Sequence, residues 1–252
     1  MIIQFASDLH LEFPQNKDFL KSAPIQPMGD ILLLAGDIVP FSVMNKHADF
    51  FSYLSDHFLA TYWIPGNHEY YQFDVATKCG MLNEKIKSNV FLVNNTVAIH
   101  ENTNFIFSTL WSNIRPAYQW QIERALSDFQ LIKYNGYRFS SDQYNSLHDE
   151  CVSFLNRELQ KNNSGKTVVV THHVPTFLNY PDRFKGDALN DAFAVELFDM
   201  IERSSAEFWI YGHHHQNTPD FQIGKTLMLT NQLGYVNYNE HQLFSQEKAV
   251  IT

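Results

Sequence analysis

Short, almost wholly apolar runs rich in β-branched and aromatic residues recur along the chain: IIQFA (2–6), ILLLA (31–35), TYWI (61–64), NFIFS (104–108), TVVVT (167–171) and EFWIY (207–211). Weaker runs are VFLV (90–93), TVAI (96–99) and TLMLT (226–230). Runs of this length without polar alternation predict strands covered on both faces. Between many of them, over 46–58, 74–88, 141–161 and 191–203, apolar residues return at helical spacing. Alternating strand and helix predicts an α/β layered domain. At 252 residues one domain spanning 1–252 is expected. Segment 112–150 is polar with scattered aromatics and long for a connection, which predicts a cap or insertion.

Composition narrows the function. The formal net charge of -9 argues against a surface that grips a nucleic-acid polymer through its phosphates, yet leaves room for a local positive site drawing in a small phosphate ester. Two cysteines, Cys79 and Cys151, are too few for a disulfide framework and fit a reducing, cytoplasmic setting. The opening MIIQFASDLH lacks a basic n-region and cleavage site, and no run reaches about 18 apolar residues, so neither signal peptide nor membrane span is expected. Oligomeric state is not legible.

The chemistry lies just past the strands. IIQFAS runs into Asp8-Leu9-His10, ILLLAG into Asp37, TYWIPG into Asn67-His68-Glu69, TVVVT into His172-His173, and EFWIYG into His213-His214-His215. Open α/β sheets bind ligands at the carboxyl ends of their strands, and five strands deliver Asp, Asn or His to that edge. Carboxylates and imidazoles without thiolates suit divalent Mn, Fe or Zn. Asp8 with His10, and His213 with His215, stand two apart, so each pair can face one side while His214 points elsewhere. Glycine before Asp37, Asn67 and His213 is expected to permit a tight turn.

The blocks D-L-H (8–10), G-D (36–37), G-N-H-E (66–69), T-H-H (171–173) and G-H-H-H (212–215), in that order, resemble the signature of calcineurin-like metallophosphoesterases. The resemblance implies a four-layer α/β/β/α sandwich of two mixed sheets and a site for two divalent metal ions. Asp8, His10 and His215 would hold one ion; Asn67, His172 and His213 the other; Asp37 would bridge them. Ions about 3.5–4 Å apart clamp both oxygens of an in-line displacement. With a bridging hydroxide as nucleophile the site keeps about one positive charge. His68 would bind no metal and assist the leaving group. His173 is the alternative to His172 as ligand, or else a substrate contact; His214 and Arg115 are further substrate-side candidates. Tyr70 and Tyr71 read as packing residues, Asp30 as a turn residue, and Glu12 and Glu69 equally well as supports of the ligands or as exposed carboxylates. The function expected is hydrolysis of a small phosphodiester or phosphomonoester. The competing reading is a non-catalytic scaffold of the same fold, against which stands the retention of His68 among a full ligand set.

Overall fold

In the computed structural model, which describes residues 1–161 and 165–252, every expected apolar run is a strand. The first sheet has the order β14 (Ala249–Ile251), β1 (Ile2–Ala6), β2 (Ile31–Ala35), β3 (Ala60–Ile64), β5 (Val90–Asn94), β4 (Leu82–Lys87). Its four inner strands are parallel and its two edges antiparallel. The second follows the same plan: β12 (Phe221–Ile223), β13 (Thr226–Thr230), β11 (Phe208–Tyr211), β10 (Lys166–Thr171), β7 (Thr103–Ser108), β6 (Thr96–His100).

The unbroken apolar runs have a physical cause. In β2, Ile31, Leu33 and Ala35 face the second sheet, where they join Phe105, Phe107, Val168 and Ile210 in one inter-sheet core. Leu32 and Leu34 face the other way, into a core with Leu20 of α1 (Pro14–Ser22) and Phe51 and Leu54 of α2 (Ala48–His57). On the far side Val169 and Trp209 pack with Phe154 and Leu155 of α5 (Ser141–Leu159) and Ile201 of α6 (Phe198–Arg203). The result is the α/β/β/α sandwich, with both faces of each sheet covered.

Two expectations about local structure change. Stretch 74–88 is not a helix: after a single 3-10 turn at Val75–Thr77 the chain turns at Gly80 (φ +70°) and enters the edge strand β4. Tertiary pairing with β5 overrides the helical spacing there, and lysines on the free edge blunt further pairing. Over 191–203 only Phe198–Arg203 is α-helical. Helix α1 begins on Pro14, whose fixed φ suits a first helical turn. Residues 141–150 form the first half of α5, which a Ser140–Gln143 capping box starts. The preceding stretch holds α3 (Gln119–Ala125), α4 (Asp128–Leu131) and the small hairpin β8 (Lys133–Tyr134), β9 (Tyr137–Arg138). Among the described residues no helix is long and apolar enough to cross a membrane.

Candidate metal centre

The five loops after β1, β2, β3, β10 and β11 meet in one cleft of about 320 Å³ whose walls include Asp37, Asn67, His68, His213 and His215. Their backbone is unusual. Asp8, His10, Asp37, His213 and His215 all have positive φ, between 47° and 84°. Non-glycine residues adopt this conformation rarely and at a cost, mostly where the surroundings enforce it. The glycines serve in two different ways. Gly36 both turns, with φ +88°, and leaves room, since a Cβ there would lie 2.4 Å from His172 Nδ1, whereas Gly212 is needed for space alone, a Cβ there lying 2.6 Å from Asp8 Oδ2.

Two clusters share Asp37. Ligand atoms of Asp8, His10, Asp37 and His215 lie within 4.8 Å of one another, as do those of Asp37, His172 and His213. His10 Nε2 faces His215 Nε2 at 2.9 Å, and His172 Nε2 faces His213 Nδ1 at 3.0 Å. Asp37 offers Oδ2 towards the first pair, 3.9 Å from His10, and Oδ1 towards the second, 3.4 Å from His172. Asn67 Oδ1 is 3.3 Å from His172 Nε2.

What lies behind each ring decides whether cations fit. The far nitrogen of His10 faces Glu12 Oε1 (3.3 Å), that of His172 the Ala35 carbonyl (2.9 Å), that of His213 the Ala192 carbonyl (3.3 Å) and that of His215 Glu240 Oε2 (2.8 Å). These acceptors take an N–H from each far nitrogen, so in the neutral rings the near nitrogens are lone pairs pointing at each other. Opposed acceptors about 3 Å apart repel unless a cation stands beside both, and that separation suits two neighbouring ligands at metal–nitrogen distances of about 2.1 Å. The donor set therefore fits two divalent ions.

Buried carboxylates hold the frame. Glu69 accepts from the backbone N–H of Asp37, Ile38, Val39 and Gly66 and from Trp63 Nε1. Burial and the neighbouring Asp37 charge push its carboxyl up, while these donors favour the anion, the form that the all-donor geometry fits. Asp128 accepts from Asn67 Nδ2 (2.9 Å) and Tyr71 Oη (2.8 Å), so the Asn67 oxygen is the end turned to the centre. Asp8 binds the His213 N–H at 3.0 Å and thereby ties the loop after β1 to the loop after β11. Burial alone would raise the Glu12 carboxyl, but its bonds to His10 and His68 bring it down to about 2. Burial would lower His68; the charges of Asp37 and Glu12 outweigh it and lift the imidazole to about 9.

His68 lies between Glu12 (Nδ1 to Oε1, 3.1 Å) and the Tyr235 hydroxyl (Nε2 to Oη, 3.3 Å), its ring stacked on Tyr71 at 4.0 Å. Tyr71 thus lines the cleft, unlike Tyr70, which is buried with its hydroxyl on the Lys78 carbonyl. Two substrate-side candidates are not brought to the cleft. His173 is fully buried against Trp111, Tyr144 and His213, because β10 turns alternate side chains to opposite sides and His172 takes the inner one. Arg115 grips Asp191 through Nε and Nη2 at 2.8 Å and lines a different depression. His214 does reach the cleft wall. Sequence reading missed Asp128 and Glu240, single residues outside any block, and gave no role to Tyr235, although NQLGYVNY (231–238) resembles the family's closing loop.

The calcineurin-like phosphoesterase family model matches residues 1–217. An uncharacterized protein of Acanthamoeba polyphaga mimivirus is 29% identical, the match covering 99% of this chain and 98% of that one. A 3',5'-cyclic-nucleotide phosphodiesterase of Nostoc sp. is 24% identical over 76% of this chain and 58% of its own. Among solved structures, phosphopantetheinyl hydrolase of Mycobacterium tuberculosis shares the fold with a TM-score of 0.72 at 16% identity, covering 99% of this chain and 95% of that one. A dimetal phosphatase of Danio rerio does so at 0.52 and 13%, covering 92% and 87%. With the matched model running from β1 through all five motif loops, the chain belongs to the calcineurin-like phosphoesterase family, hydrolases acting on phosphoric esters.

Proposed function

We propose that the protein is a dinuclear-metal phosphoesterase that cleaves a small phosphate ester, with Asp8, His10 and His215 holding one ion, Asn67, His172 and His213 the second, and Asp37 shared. The observation that carries this reading is the pair of opposed imidazole couples, each ring held from behind by an acceptor. Nitrogen and carboxylate donors without thiolate favour Mn, Fe or Zn. When bound, two such ions supply positive charge for the phosphate and make hydroxide available near neutral pH.

The chain's own residues do the rest. Glu12 fixes His68 through Nδ1, so Nε2 faces the cleft as the proton donor to the departing oxygen. Tyr235 beside that nitrogen steadies the ring. Asp128 and Glu69 keep Asn67 and the Asp37 loop in register. We read residues 1–252 as one domain in which the segment within 112–150, through Ala125–Asp128, shapes the mouth of the cleft. The kinship to a cyclic-nucleotide phosphodiesterase favours a phosphodiester over a monoester, and a net charge of -9 disfavours a nucleic-acid polymer. The free cysteines Cys79 and Cys151 fit a reducing, cytoplasmic setting. A scaffold would have no use for a cleft-facing His68 held by its own carboxylate.

The test is hydrolysis of a nitrophenyl diester and a nitrophenyl monoester by metal-stripped protein, with Mn²⁺, Fe²⁺, Zn²⁺ or Mg²⁺ restored. Metal-dependent turnover with the diester faster supports the reading; silence on both esters with two ions bound overturns it in favour of the scaffold.

A further inference from the structure

Beside the metal centre lies a second, smaller recess of about 140 Å³. The two cavities share Phe184, Phe193 and His214 as walls, and Leu189 and Tyr180 close the recess. Phe193 is also stacked on His213 with ring centroids 4.6 Å apart, so the recess begins one ring thickness from the centre. Phe184, Leu189 and Phe193 are only half-buried; their apolar faces are turned to this space.

His214 at the junction has a fixed donor. Gln232 accepts the His215 N–H on Oε1 (2.7 Å), which turns its amide nitrogen to His214 Nδ1 (3.0 Å). The Gln216 N–H donates to the same Nδ1 at 3.2 Å. With Nδ1 doubly accepting, the ring proton sits on Nε2, for which the described residues provide no partner, and His214 lines both cavities. A donor without a protein partner on a cavity wall is free to serve an acceptor on a bound molecule.

We propose that this recess is a subsite for a flat, uncharged ring carried on the organic part of the phosphate ester, with His214 Nε2–H donating to an acceptor at the ring's near edge. The proposal rests on the reading that the phosphate itself binds at the metal centre. Aromatic walls favour a flat ring, which stacks with little loss of freedom. A drug-sized ligand needs about 300 Å³ or more, so this space takes one ring system and leaves the phosphate in the larger cavity. Among the described residues the only charged group in the recess wall is Asp187, which disfavours an anionic group there.

Calorimetric titration of the Mn²⁺-loaded protein with phenylphosphonate and methylphosphonate separates the two levels of the argument without relying on turnover. Phenylphosphonate is expected to bind about tenfold or more tighter than methylphosphonate. Leu189→Trp fills the recess and should bring the ratio close to one; should that variant fail to fold, Phe184→Ala should lower the ratio severalfold. His214→Ala should also lower it for a nucleoside phosphonate, whose ring carries acceptors. A nucleoside phosphonate binding tighter than phenylphosphonate assigns the ring to a nucleobase, and the reverse order to a plain aryl group. Equal affinities for the phenyl and methyl ligands, or a ratio untouched by Leu189→Trp, overturn the subsite and leave the phosphoesterase standing. If neither ligand binds, the metal-centre reading fails and takes the subsite with it.

Discussion

Glu12 Oε1 lies 3.1 Å from His68 Nδ1 and 3.3 Å from His10 Nδ1, so a single carboxylate oxygen restrains both the proposed leaving-group acid and a proposed metal ligand. Partners of this kind change metal affinity or activity by about 10–100-fold when lost. Glu12→Gln should lower kcat by that factor while the protein still folds. Kinetics on the diester beside metal content checks it; unchanged kcat would show that His68 needs no such support.

His68 and Asp37 should separate chemistry from metal binding. His68→Ala is expected to keep both ions and lose roughly 10²–10⁴-fold in turnover, the usual worth of general acid–base catalysis. Asp37→Ala, which removes the only side chain common to both clusters, should lose metal as well. Elemental analysis of the two variants decides; equal metal loss would contradict the division of roles.

Asp128 has no block around it, yet it sets which end of the Asn67 amide faces the centre. Asp128→Ala should weaken the second ion by about 10–100-fold and spare the first. Stepwise metal titration would show one tight and one weakened site, and two unaltered sites would refute it.

The pH dependence of the metal-free protein follows from two opposite shifts. His68 is raised from 6.5 to about 9, so its contribution to stability is complete below about 6.5 and lost as pH climbs through about 9. Glu12 is lowered from 4.5 to about 2, so its contribution is complete above 4.5 and lost as pH falls through about 2. Stability of chelator-treated protein should fall by on the order of 2 kcal/mol or more as pH rises from about 6.5 towards 9, since His172, also raised to about 9, and Glu69, raised to about 8, add to the loss from His68. Urea unfolding across that range is the measurement. Glu12→Gln should flatten the alkaline flank, and a flat wild-type profile would count against the pairing.

Glu69 makes a stability prediction. An amide in its place would turn its own N–H groups towards donors, so Glu69→Gln should destabilise by about 2–4 kcal/mol. Chemical denaturation measures this directly, and a loss below about 1 kcal/mol would mean that the loop has other anchors.

Strands were the most legible part of the chain, because residues such as Leu32 and Leu33 are buried on opposite faces and leave an apolar run that no helix requires. The edge strand β4 was not, since LNEKIK owes its conformation to β5 and carries no apolar alternation of its own. The histidines and Asp37 stood out through their place after strands. Glu12 and Glu69 were visible but mute: only burial and partners distinguish a carboxylate behind a ligand from one in water. His173 misled for the same reason, since adjacent residues at a strand end face opposite ways and the sequence does not say which way is in.

The bond from the His213 N–H to Asp8 joins positions 205 residues apart, one beyond each sheet. Neither cluster can be completed from one side: the first needs His215 with Asp8 and His10, the second His172 and His213 with Asp37. The centre is thus a clasp across the sandwich, closed only once residues 205 apart in the chain have met. Ion uptake would then follow the meeting of the two sheets, and each bound ion would hold them together by an amount that grows with the logarithm of its free concentration. A fragment carrying either sheet alone would have histidines or aspartates in plenty, and nothing to fasten.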